Sequence, residues 1–187
     1  MAATRKSTRQ TGSKGKSGAN GRPGGADGED RFLELLVPLM SSPGVAKNAY
    51  RMSIFANFFN GPIYAVIQKR FRLLRDELNT LFCLAHFEEL SPRDICLVMG
   101  RPKNSVSRAI SRLQERDLIE VRDDPSDARV DLLKLKPAGH HLYEETRRMF
   151  VDREEQMLSS LTNREKDTLD RLLTKLMRSH ETWSDLY

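Results

Sequence analysis

The run from Gly100 to Arg129, GRPKNSVSRAISRLQERDLIEVRDDPSDAR, sorts its chemistry by face. At 100° per residue Val106, Ala109, Ile110 and Leu113 form one stripe, and Asn104, Ser107, Arg108, Ser111 and Arg112 form the opposite one. Exposed helix faces ordinarily mix Glu with Lys, and a plain solvated face is the bland reading. Here the one acid of the helical part, about 103–116, is Glu115, past the first three turns. Arg, Asn and Ser are the side chains that bond base edges and phosphates of duplex DNA, so the stripe predicts a DNA-facing surface. The Asp-Pro-Ser-Asp-Ala-Arg segment that follows reads as a hairpin tip. An arginine there, Arg129, reaches a narrow minor groove when Asp127 pairs with it and holds it; the alternative is ordinary turn chemistry with a solvated Arg129.

The elements around this run are short and punctuated. Phe32, Leu35, Leu36 and Leu39 have the i, i+3, i+4, i+7 spacing of a helix over about 30–42, ended by Pro43-Gly44. A longer helix is expected over 46–71, kinked or split at Pro62, and a third over 76–88. Ser91-Pro92-Arg93-Asp94 carries a capping hydroxyl, a proline at the first helical position and an acid three residues after the cap. That opens a short helix which Gly100 closes. The DNA-facing helix spans about 103–116. Leu118–Val121 and Val130–Leu135 read as a hairpin, and a long helix follows Pro137 and Gly139 to about residue 160. Thr162 and Glu165 form a capping box for a last helix, with Leu169, Leu172, Leu173 and Leu176 inward.

Net charge is +5, from 31 Lys and Arg against 26 Asp and Glu. Six of the bases (Arg5, Lys6, Arg9, Lys14, Lys16, Arg22) lie in a glycine- and serine-rich stretch over residues 1–26 that holds no acid, while the body is near neutral. With almost nothing apolar to bury, residues 1–28 are expected to be a disordered basic tail, either a source of extra phosphate contacts or a solubilising leader. Only Cys83 and Cys96 are present, and no apolar N-terminal stretch reads as a signal peptide or membrane span. A cytoplasmic, nucleoid-associated protein is expected.

Three short helices followed at once by a hairpin is the order of a winged helix-turn-helix. From Ala46 to His180 the chain resembles the MarR family of bacterial transcription regulators. The resemblance rests on LSPRDICLVMGRPKNSVSRAISRLQERDLIEVRDDPSDARVDLLKL followed by the Gly139 helix. It implies a mainly α fold with a small β-hairpin wing (α+β), made of a winged helix-turn-helix lobe and a helical dimerisation region. The implied division is 30–71 and 137–187 for dimerisation and 72–136 for DNA. It further implies a homodimer on a pseudo-palindromic double-stranded DNA operator, acting as a repressor. Ser105, Ser107, Arg108 and Arg112 map to recognition-helix positions and Asp127 and Arg129 to the wing; Lys103, Asn104 and Ser111 complete the expected DNA set. Two positions depart from the family pattern. Pro102 replaces a capping Asp or Ser and is expected as the first helical residue, and Lys136-Pro137 replaces a Thr-led cap.

The resemblance also implies a small effector, an aromatic acid or related compound, bound between the dimerisation helices and the lobe. The expected lining is Arg51, Asn57, Phe58, Asn60, Tyr64 and His86, with Arg51 as the carboxylate's partner; packing in a core is the competing role for the aromatics. His140 with Glu144, and Cys83 with His86, have spacings that allow shared coordination. Two pairs do not make a tetrahedral site, and neither a metal nor a cofactor is expected. Cys83 lies off its helix's apolar stripe, where an oxidant-sensing thiol would sit, with no resolving thiol nearby. The sequence has no phosphate-binding glycine loop, HExxH or nucleophile elbow, so an enzyme is not expected. The other classes are a nucleoid-type DNA binder driven by the basic tail, and a winged-helix protein-interaction module, which would carry an acidic or apolar outer face instead.

Overall fold

The computed structural model describes residues 26–183, so the expected basic tail lies outside the described residues except for its last three positions. Those three belong to helix α1, Ala26–Ser41, which begins earlier than its apolar stripe. Among the described residues the division between two compact units falls between Arg51 and Met52, inside the second helix, and not at the expected 71/72 boundary. The reason is packing: Ile63 and Ile67 of α2, Lys47–Phe71, belong to the same buried cluster as the residues of the lobe.

Helix α2 runs through Pro62 as one helix, so of the expected kink or split the split does not occur. Proline has no N–H to offer the carbonyl four residues back, here that of Phe58. Arg153, far along the chain, supplies what is missing. Its Nη2 donates to the Phe58 carbonyl at 2.6 Å and its Nε to the Phe59 carbonyl at 2.8 Å. The same guanidinium lies 5.7 Å from the centre of the Phe59 ring.

Helices α3, Arg75–His86, α4, Pro92–Met99, and α5, Lys103–Glu115, follow in short succession. The α4 termini are those the residues call for. Ser91 and Asp94 cap each other's backbone N–H groups, and Gly100 closes the helix in the left-handed conformation, φ 58°, returning its N–H to the Cys96 carbonyl. Pro102 is not the first helical residue. Its ψ of 141° is extended, so it stands one position earlier as the N-cap, and its carbonyl accepts the N–H groups of Ser105 and Val106.

The hairpin strands reach further than branched residues alone indicate, β1 over Ile119–Asp124 and β2 over Asp127–Leu135. Pairing is antiparallel, with Ile119 opposite Leu135 and Val121 opposite Leu133, and the register breaks between Asp123 and Asp124. Leu90, ahead of α4, exchanges backbone hydrogen bonds with Leu133 and fastens the hairpin to the helices. One core gathers Leu81, Leu84, Ile95, Val106, Leu113, Ile119 and Leu133 under α3, α4, α5 and the hairpin.

Helix α6, Pro137–Met157, starts with Pro137 in its first turn and no side-chain cap on Lys136. Gly139 touches the end of the lobe so closely that a Cβ there would lie 2.2 Å from the Leu118 carbonyl oxygen. Helix α7, Asn163–Arg178, opens with the Thr162–Glu165 box. Its leucines, expected inward, are not buried by the described residues: Leu169 is half-buried, and Leu172, Leu173 and Leu176 are 46, 41 and 47 % exposed. None of the described helices is long and apolar enough to cross a membrane.

Candidate nucleic-acid interface

Helix α5 divides as its periodicity requires. Val106, Ala109 and Leu113 are buried, while Lys103, Asn104, Ser107, Arg108, Ser111 and Arg112 are exposed and Ser105 is half-buried. Ser111 is partly occupied, since its hydroxyl donates to the Ser107 carbonyl at 3.1 Å. Arg112 also has a partner within the chain. Its Nη1 donates to Oε1 of Glu77 at 3.4 Å, and Glu77 is only 3 % exposed.

Glu77 stands beside Asp76 in the first turn of α3, and together the two acids hold α5 at both its ends. Asp76 receives Nε and Nη2 of Arg101, in the turn before α5, at 2.8 and 3.1 Å. That carboxylate holds the Arg101 guanidinium's pKa above its ordinary value, chiefly through the hydrogen bond. Glu77 closes α3's own terminus by accepting the Leu74 N–H at 3.0 Å, and Arg116 approaches it to 3.9 Å. Arg116 in turn donates to the Phe71 and Arg72 carbonyls at the end of α2. A cleft of about 280 Å³ separates the first turn of α3 from α5, with Ser105, Arg108 and Arg112 along it. Sequence reasoning missed Asp76 and Glu77 because two acids in a first turn look like ordinary helix-dipole partners.

The wing tip is built by carboxylates, though not as expected. Asp124 accepts the N–H and hydroxyl of Ser126, which holds its pKa below the usual carboxylate range and closes a two-residue loop at Pro125-Ser126. Asp127 does not pair with the Arg129 side chain. It accepts the Arg129 backbone N–H at 3.0 Å, and the side chain is exposed.

A second concavity, about 390 Å³, opens between α2, α3 and α6. Its walls are largely aromatic, with Phe59, Tyr64, Phe82, Tyr143 and Phe150 among them. The Tyr64 hydroxyl donates to Asn79 Oδ1 at 3.3 Å, and the Tyr64 ring meets Phe150 edge-on at 6.0 Å. His86 Nδ1 donates to the Phe82 carbonyl, leaving Nε2 to accept from the Tyr143 hydroxyl at 3.4 Å. Of the expected effector residues, Tyr64 lines this pocket and His86 touches its wall. Asn57, Phe58 and Asn60 are not among its lining residues, and Asn57 and Phe58 are exposed. Arg51 falls in the other compact unit. The lining charges are Arg147 and Glu154. Arg147 is held by Glu144 through Nε and Nη2 at 3.0 and 2.9 Å, and its hydrogen bond holds the Glu144 carboxyl's pKa below its ordinary value.

Cys83 does not face solvent. It is 2 % exposed in the core, and burial pushes its thiol up to about 11, so the placement does not suit an oxidant sensor. Among the described residues no three of His, Cys, Asp and Glu converge as metal ligands would.

A family profile described as MarR family matches residues 73–130, which run from the end of α2 into the wing. Among curated proteins, the HTH-type transcriptional regulator BilQ of Clostridium symbiosum is 29 % identical over 91 residues, 49 % of this chain. An uncharacterised HTH-type transcriptional regulator of Bacillus subtilis, YxaD, is 30 % identical over 76 residues, 41 % of this chain. The chain spans 63 % and 53 % of the lengths of these two relatives. Among solved structures, a MarR/EmrR family transcriptional regulator from Acinetobacter sp. ADP1 superposes with a TM-score of 0.65 at 27 % identity, over 72 % of this chain and 95 % of its own. The S. aureus MepR–DNA complex gives 0.62 at 22 % identity, over 70 % of this chain and 96 % of that one. The helix-turn-helix, the first part of its wing and the MarR family profile fall on the same residues, 73–130, and the fold is that of the winged helix-turn-helix structures on which the chain superposes.

Proposed function

We propose that the chain is a sequence-specific DNA-binding transcriptional regulator, a homodimer that represses from a pseudo-palindromic operator and is released by a small effector. The observation that carries this reading is the outward face of α5. Lys103, Asn104, Ser107 and Arg108 are exposed there, with Ser105 and Ser111 beside them and the wing presenting Arg129. The α5 N-terminus has no side-chain cap, which adds its partial positive charge to the same surface. The S. aureus MepR structure with DNA supports the reading through its shared fold. Dimerisation through α1, α2, α6 and α7 is supported by the uncovered leucines of α7 and by Phe55 and Phe58, both largely exposed on α2. The effector is an aromatic acid or related compound in the pocket of Phe59, Tyr64 and Phe150, with Arg147 in the place expected of Arg51. A site in the cytoplasm, beside the chromosome, follows from the same reading.

The test is a titration of purified protein against the DNA upstream of its own gene, with excess nonspecific competitor at two salt concentrations, with and without residues 1–26. A discrete complex that survives both conditions without the tail supports sequence reading by the lobe. Arg108→Ala should then weaken it by about 1 to 3 kcal/mol while the oligomeric state stays the same. Binding that collapses with salt and with tail deletion moves the nucleoid-type reading ahead.

A further inference from the structure

Arg108 and Arg112 are one turn apart on the same helix face, yet the structure treats them differently. Arg108 is exposed and makes no ion pair among the described residues. Arg112 is drawn to a carboxylate whose side chain is 4 % exposed. A buried carboxylate deprived of its partners is strongly unfavourable, and Arg116, the other base near Glu77, is already engaged by the Phe71 and Arg72 carbonyls. The position of Arg112 is therefore decided by Glu77. An unrestrained arginine at this place on a DNA-facing helix would find a phosphate, a contact that strengthens binding to every sequence alike.

We propose that Glu77 is a specificity-determining residue: it holds Arg112 back from the DNA backbone and leaves discrimination to the remaining side chains of α5. This rests on the DNA-binding reading above. Withholding one sequence-independent contact lowers affinity for random DNA without touching base readout, so the ratio of specific to nonspecific binding rises.

The experiment measures binding of the full chain to a random-sequence duplex across a salt series, for wild type, Glu77→Gln and the double variant Glu77→Gln/Arg112→Gln. Glutamine keeps the shape of Glu77 and an oxygen for the Leu74 N–H. Glu77→Gln is expected to bind random DNA more tightly at low salt, with a plot of log K against log salt steeper by about 0.9 per chain. The double variant should return to the wild-type slope. Equal slopes for wild type and Glu77→Gln overturn the proposal, and so does a steep slope that persists without Arg112. Should Glu77→Gln lack a cooperative melt, Arg112→Gln alone decides: an unchanged slope supports the proposal, and a slope shallower by about 0.9 means that Arg112 already holds a phosphate and overturns it. Failure of the wild type to bind any duplex overturns the DNA-binding reading itself and the proposal with it.

Discussion

Helices α5 and α7 carry the same sequence signal and meet opposite fates. Both are amphipathic, with apolar residues at helical spacing on one face and charged or polar ones on the other. In α5 the apolar face is closed within the lobe by α3, α4 and the hairpin, and Leu113 is fully buried. In α7 the leucines are as regular, and none of them is buried by the described residues. Periodicity identifies which face of a helix avoids water; it does not say whose surface will cover it. The lobe is completed by its own chain, whereas α7 leaves its apolar face open among the described residues.

That contrast can be broken at either end. Leu113→Ala should cost about 3 kcal/mol through lost burial and a cavity, lowering the denaturation midpoint equally at every protein concentration. A concentration-dependent loss would mean that the lobe also leans on a second chain. Replacing Leu172 and Leu176 together by Asp should weaken self-association by at least about a hundredfold, roughly 3 kcal/mol, as read by sedimentation. A variant that still associates like wild type would show that α7 meets no partner through this face. Arg153→Ala should destabilise the lobe by about 2 kcal/mol, since two charge-assisted bonds to carbonyls beside Pro62 are lost. Pro62→Ala in the same background should restore part of it, and no recovery would separate the arginine from the proline. The smallest effect is electrostatic. The N–H and hydroxyl of Thr162 hold the Glu165 carboxyl's pKa below its ordinary value of 4.5, so the α7 terminus gains stability above that pH and loses it as pH falls through the lowered value. Once exchange is corrected for its intrinsic slowing at low pH, the protection of the α7 amides should fall on acidification, and in Glu165→Gln that fall should be smaller.

What was legible beforehand follows from the range of the interactions involved. The ends of α4 are set by neighbours in sequence, Ser91 with Asp94 and Gly100 with Cys96, and were read directly. The α5 stripe was equally plain, as was the presence of a hairpin. The strand ends were not, because Asp and Pro signal turns, and it took the Asp124–Ser126 bonds to show how tight this one is. Long-range partners are not legible in the sequence: Glu77 meets Arg112 across 35 residues. The walls of the larger concavity are hard to read for a similar reason. The aromatic signal on α2 was real, but Phe59, not Phe58, faces α6, and Phe150 and Arg147 enter from a helix read only as a length.

The bond from Arg153 to Phe59 spans 94 residues of chain. At about 5 to 20 residues per second, a ribosome needs roughly 5 to 20 s to add that much polypeptide. For all of that time the newborn α2 turn around Pro62 must rely on water for the hydrogen bonds that Arg153 will later donate. The N-terminal half of the protein therefore emerges with one weak turn already in place, and a chaperone or protease would meet it before its own partner does.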